Sequence, residues 1–228
     1  MTYVSDIRGS IPQIVRNDHN LYEGNLVSYF RALFRHADNL NNPYHNFRHV
    51  CHVLWLCYKA CIFYDCSNGL SKRQMRNLLV AALFHDFDHT GKTGPDSVNI
   101  ARAIKGLKKY LATEDKEEFE KIEMLIQYTE YPYVIPHDQV TLSGHVLRDA
   151  DLSQALSVAW IQQVVFGLAK EWGKPPLDVL RAQEVFHGNL KFHTLWAQEM
   201  FPRNLIESKI SEAKELVEIL DEVSCEKS

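Results

Sequence analysis

The stretch Leu78 to Gly94 reads LLVAALFHDFDHTGKTG. Leu78–Phe84 is apolar without interruption, so as a helix it has no polar face for water and must be enclosed by other elements. The run then enters His85, Asp86, Asp88 and His89 before a glycine-bearing loop. Burying such groups unpaired is costly, so the fold has to bring them a partner. A divalent cation is one, because it accepts imidazole nitrogen and carboxylate oxygen together. On a continuing helix His85 and His89 would share a face, with Asp86 about 100° around.

Helical periodicity dominates the rest. Leu26, Tyr29, Phe30, Leu33 and Phe34 recur at spacings of three and four, and Asn41, Asn42 and Pro43 break the pattern. A second helix is expected over Phe47 to Asp65, with Val50, Val53, Leu54 and Cys57 inward. Ser71 and Gln74 have the form of a capping box opening the helix that carries Leu78 and Leu79. Asp96 or Ser97 is expected to cap the next helix. ATEDKEEFEKIEMLIQYTEYP reads as one helix with an acidic first turn, stopped by Pro132. Further helices are expected over 137–150, 158–172, 176–188 and 204–224, with Pro175 or Pro176 in a first turn. Strand signals are nearly absent, and no linker, repeat or composition shift divides the chain. The expectation is a single all-α domain over 1–228, of about eight helices.

Bulk properties exclude some classes. A formal net charge of -4 with scattered Lys and Arg argues against a nucleic-acid partner. No run approaches the ~18 to 20 apolar residues that span a bilayer, so no membrane role is expected. The opening MTYVSDIRGSIPQIV lacks the basic and apolar regions of a secretory signal. The five cysteines form no CxxC pair, and Cys57 and Cys61 fit a helical core face. These features predict a cytoplasmic protein.

A cation at His85 and Asp86 needs ligands from elsewhere. NPYHNFRHVCH supplies His45, His49 and His52, with His45 and His49 spaced to enter one cleft, and LRDADLSQALS supplies Asp149 and Asp151. His49, then His85–Asp86, then Asp151 resembles the H…HD…D pattern of the HD superfamily of metal-dependent phosphohydrolases. YHNFRH (Tyr44 to His49), HDFDHTG (His85 to Gly91) and ADLS (Ala150 to Ser153) resemble, in order, the three metal-site motifs of cyclic-nucleotide phosphodiesterase catalytic domains. The motifs anchor a core of about 26–192, with the helix of about 204–224 outside it.

The resemblance implies an HD-type, phosphodiesterase-like all-α domain that takes a small nucleotide substrate and two divalent metal ions, Zn, Mn, Mg or Fe. It implies His49, His85, Asp86 and Asp151 as ligands of the first metal, and Asp86 as a bridge to the second. It gives His89 a hydrogen bond to a metal-bound water, and His45 the general-acid role toward the leaving oxygen. Two adjacent cations would ionise a bridging water near neutral pH for attack on a 3',5'-cyclic phosphodiester, releasing the monophosphate. Gln183 and Phe186, in QEVF, have the Q-x-x-F form of the family's base-binding pair. The family's LENHH-like motif is not found, since YTEYPYV occupies that stretch, so the glutamate that would polarise His45 is left unassigned.

Alternatives are an HD nucleotidase or deoxynucleoside triphosphate hydrolase, a di-iron HD oxygenase, or a non-catalytic HD module. The completeness of the ligand set counts against the last. Among the remaining residues, Asp88 is expected to be solvated or to cap the helix, and His52 to lie on a helix surface or beside the ligands. Lys92, Lys105 and Asn99 are candidates for substrate contact, and His187 and His193 for a phosphate pocket. His137 and His145 have no partner motif, and Arg148 and Asp149 are expected to pair with neighbours on a helix face.

Overall fold

The structure, a computed structural model, describes residues 10–67 and 69–225. The first nine residues, on which part of the targeting-signal reading falls, lie outside the described residues. Among the described residues there are eleven α-helices and no strand. They are α1 (Ile11–Arg16), α2 (Val27–His36), α3 (Phe47–Asp65), α4 (Lys72–Phe84), α5 (Ser97–Tyr110), α6 (Phe119–Gln127), α7 (Leu142–Leu152), α8 (Phe166–Trp172), α9 (Pro176–Asn189), α10 (Leu195–Met200) and α11 (Arg203–Cys225). The number exceeds the expected eight chiefly because α1 and α10 are too short to show periodicity.

As its apolar run requires, α4 is the central helix. Met75 to Phe84 are all buried, and α2, α3, α5, α6 and α7 surround it. Ser71 and Gln74 make the expected capping box. The helix stops at Phe84, with His85 as its C-cap, and does not continue to His89. The chain turns there through bonds from Phe87 N–H to Phe84 O and from His89 N–H to Asp86 O, both 2.9 Å. Asp88 takes a left-handed φ of 60°, a conformation Asp tolerates better than most residues. Its carboxylate accepts from the Asp38 N–H at 2.9 Å, so Asp88 fixes this turn and is not a freely solvated group. His85 and His89 therefore serve different parts of the cleft. Phe87 packs on α5 where Gly106 leaves room; a Cβ at Gly106 would lie 2.3 Å from its ring.

Three expected helices are divided, that over 137–150 into a 3₁₀ turn at His137–Gln139 and α7. Residues 113–118 form a 3₁₀ turn before α6, because Asp115 turns inward. There it accepts from Arg76 Nε and Nη2 at 2.8 and 2.7 Å, from Arg73 Nη1 at 2.7 Å and from the Tyr29 hydroxyl. Residues 161–165 form a π turn that leads into α8. Asp96 does not cap α5 with its side chain; it accepts instead from Asn99 Nδ2 and the Tyr131 N–H.

The main core is built on α3, α4, α6 and α7, and a smaller one joins α8, α9 and α11 around Trp160, Val164 and Val179. Gly167 lets α8 lie against the chain at Pro43, whose carbonyl oxygen would be 2.9 Å from a Cβ there. No single described helix is long and apolar enough to cross a membrane.

Candidate metal centre and its cleft

Three elements end at one point. Asn46 caps α3 by accepting from the Arg48 and His49 N–H groups, which sets His49 in the first turn. His85 and Asp86 follow α4, and Asp151 lies in the last turn of α7. His49 Nε2 is 2.9 Å from Asp151 Oδ1, 3.3 Å from Asp86 Oδ2 and 3.3 Å from His85 Nε2. His85 Nε2 is 3.3 Å from Asp86 Oδ2 and 3.6 Å from Asp151 Oδ1.

The other ring nitrogens show what this cluster needs. His49 Nδ1 lies 2.6 Å from Gln154 Oε1, and His85 Nδ1 lies 2.9 Å from the Ala82 carbonyl. Both partners only accept, so both Nδ1 atoms carry the proton and a neutral ring leaves a lone pair on Nε2. Two lone pairs and two carboxylates then face one another, and Asp86 Oδ2 is buried without a hydrogen-bond partner. Only positive charge at the centre relieves this. The spacings match neighbouring ligands on one ion, which lie about 2.8–3.6 Å apart when metal–ligand bonds are about 2.0–2.2 Å. The donor set thus fits a divalent cation. With no ion bound a proton supplies that charge instead: burial works against a charged His85, but Asp86 and Asp151 hold its pKa well above the usual imidazole range. Asp86, against burial, is held well below the carboxylate range by His85 and its neighbours.

Beside this cluster stands His45, whose Nδ1–H donates to Glu171 Oε2 at 2.7 Å. Glu171 Oε1 also accepts the backbone N–H groups of Tyr44 and His45 at 2.8 and 2.9 Å. Burial works against a charged His45, but the Glu171 hydrogen bond and the Asp86, Glu171 and Asp151 charges outweigh it and raise its pKa. The His89 ring stacks on that of His45, with centroids 3.6 Å apart. His89 Nδ1 accepts from the Gly91 N–H at 3.0 Å, so its proton is on Nε2, and burial pushes its pKa down to about 4. Glu171 is the residue the sequence left unassigned. Its signal is faint: an isolated carboxylate in the apolar run VVFGLAKEW, four residues after the glycine at the close approach.

These groups line one end of a cavity of about 360 Å³ whose other walls include Ile100, Val164, Leu168, Gln183 and Phe186. Gln183 is buried, and its Oε1 has no hydrogen-bond partner. Lys92 and Asn99 also line the cavity, whereas Lys105 is exposed on α5 and does not. Asn99 accepts from the Thr90 N–H and hydroxyl, both at 3.0 Å. His52 lies beside the ligands, 3.3 Å from the Ser153 hydroxyl. His187 lines no phosphate pocket: it is fully buried against Trp160, 3.1 Å from the Ala155 carbonyl.

Comparison with known proteins agrees with this geometry. Residues 44–105 match the family model of the 3'5'-cyclic nucleotide phosphodiesterases. Over 76 residues the chain is 36% identical to the high affinity cGMP-specific 3',5'-cyclic phosphodiesterases 9A of Pan troglodytes and Homo sapiens. That match covers 33% of this chain and 13% of each relative. The family segment contains His45, His49, His85, Asp86 and His89, and the structure supplies Asp151 and Glu171 from outside it. Over this segment the chain is similar to the cyclic nucleotide phosphodiesterases.

Proposed function

We propose that the chain hydrolyses a 3',5'-cyclic nucleotide to its monophosphate with two divalent cations. The observation that carries this reading is the convergence of His49, His85, Asp86 and Asp151 beside a hydrogen-bonded His45–Glu171 pair in one cleft. Those four residues would hold the first cation, and Asp86, whose Oδ2 is buried without a hydrogen-bond partner, would also serve the second. When bound, the cations acidify water and offset charge on the phosphoryl oxygens.

The residues do the rest. Glu171 occupies the Nδ1–H of His45 and favours the charged ring, so the Nε2 proton is the one delivered to the leaving oxygen. His89, with Nδ1 occupied by Gly91, offers Nε2–H as a donor to the attacking water. At the far end Gln183 presents a buried amide to the base edge, and Phe186 presents its ring to the base face. Thiols left free at Cys51, Cys57, Cys61 and Cys66 are consistent with the reducing cytoplasm we propose as its setting.

Purified chain with Mn²⁺, Mg²⁺, Zn²⁺ or Fe is assayed against cyclic nucleotides and dNTPs. Monophosphate formation from a cyclic nucleotide is expected. Triphosphate release from dNTPs with cyclic substrates untouched overturns the substrate, and oxygen consumption without ester hydrolysis overturns the reaction class.

A further inference from the structure

His137, His145 and His193, which no sequence motif relates, converge at the rim of a second cavity. One ring nitrogen from each lies within 4.8 Å of the others. The ring of His193 stacks on that of His137 at 3.9 Å between centroids and on that of His145 at 5.1 Å.

Buried residues of α7 build this arrangement. Arg148 donates to the Tyr128 and Ile135 carbonyls at 2.5 and 3.0 Å and lies 4.0 Å from the Tyr133 ring centroid, which fixes the segment leading to His137. Asp149 accepts from the His193 N–H at 3.1 Å and from the Thr194 N–H and hydroxyl at 2.9 and 2.7 Å, which fixes the segment carrying His193. His145 lies one turn earlier on the same helix. Arg148 and Asp149, expected to pair with neighbours on a helix face, are both buried and each anchors one arm of the cluster.

The tautomer of His145 points to a ligand. Its Nε2 is 3.1 Å from the His137 carbonyl, which only accepts, so Nε2 carries the proton and Nδ1 the lone pair. That Nδ1 is buried and has no partner. A buried acceptor without a donor costs about 1–3 kcal/mol, and a Lewis acid would remove the penalty.

We propose that His137, His145 and His193 form a second metal site, separate from the His49–Asp86 centre, for a divalent cation that prefers imidazole, with Zn²⁺ foremost. Three neutral nitrogens with no oxygen ligand select Zn²⁺ over Mg²⁺ or Mn²⁺. The His193 ring lies 24° and 22° from parallel to those of His137 and His145, so tetrahedral binding, with nitrogens about 3.3 Å apart, requires the exposed His137 and His193 side chains to turn their ring edges toward a common point. The adjoining cavity shares Tyr131, Leu152 and Phe186 with the candidate substrate cleft, so an ion here bears on the wall of that cleft.

The test is zinc retention by the full chain after equilibrium dialysis in excess Mg²⁺, read by elemental analysis. Wild type is expected to hold about one equivalent more than H137A/H193A. D86A, damaged only at the other centre, is expected to keep that equivalent, so this result stands whether or not the catalytic reading does. In wild type, Zn²⁺ should also shift the imidazole ¹⁵N resonances of all three histidines. Equal zinc in wild type and a folded H137A/H193A, or unshifted resonances, overturns the proposal.

Discussion

Glu171→Gln removes one negative charge while keeping the side chain's shape. In wild type one carboxylate oxygen accepts two backbone N–H groups and the other accepts the His45 Nδ1–H. An amide has a single oxygen, which serves either the backbone pair or the imidazole. The lost charge-assisted hydrogen bond is worth about 1.5–3 kcal/mol, so His45 binds its proton about 10- to 100-fold less tightly and its charged fraction on the alkaline side falls by up to that factor. The turnover number should fall by a similar factor, with KM little changed, because the general acid acts on the leaving oxygen and not on binding. The assay is kcat for cyclic nucleotide hydrolysis as a function of pH. His45 is active when protonated and Glu171 raises its pKa, so the alkaline limb should move to lower pH in E171Q. Stability follows the same sign. The increment from charged His45 is full below its unfolded pKa of about 6.5 and is lost as pH rises through the folded value. E171Q should lack that increment. A variant with wild-type kcat and an unmoved alkaline limb refutes the assignment of Glu171 as the partner of the acid.

Asp86→Ala should abolish both metal retention and turnover, measured by elemental analysis and by product formation. His45→Ala should keep its metal while losing about 10²- to 10⁴-fold in kcat; normal turnover would remove His45 from the acid role. Gly106→Ala places a Cβ 2.3 Å from the Phe87 ring and should cost about 1–3 kcal/mol in denaturant unfolding. Asp115→Asn leaves Arg76 buried without its counter-charge and should destabilise by about 3–5 kcal/mol. Burial works against the Asp115 charge, but Arg76 and Tyr29 hold its pKa low, so its contribution is full above about pH 4 and is lost as pH falls further.

What could be read in the sequence was local. The bounds of α3 coincide with the expected Phe47–Asp65, and the Ser71 capping box opens α4, because both follow from neighbours in the chain. The convergence of His49, His85, Asp86 and Asp151 was legible through the motif resemblance; burial of His85 and Asp86 demanded partners without saying which. The turn at Asp88 was not, since periodicity carries no sign of a left-handed residue fixed by the remote Asp38 N–H. The inward turn of Asp115 was hidden too: in sequence it is one acid among several, and only Arg76 distinguishes it. Glu171 and His45 are separated by most of the chain, and no short motif spans that distance. The His137–His145–His193 cluster was invisible for the same reason, being organised by backbone anchors from Arg148 and Asp149.

The close seat of α8 at Gly167 has one more consequence. The four proposed cation ligands lie on helices of the main core or directly after one, whereas the carboxylate paired with His45 arrives with the smaller core, one turn beyond that glycine. In the proposed function, ion capture and proton delivery would thus fall to separate parts of the molecule. On that reading, widening the seat at Gly167 by a single methyl group should cost turnover while leaving metal retention intact.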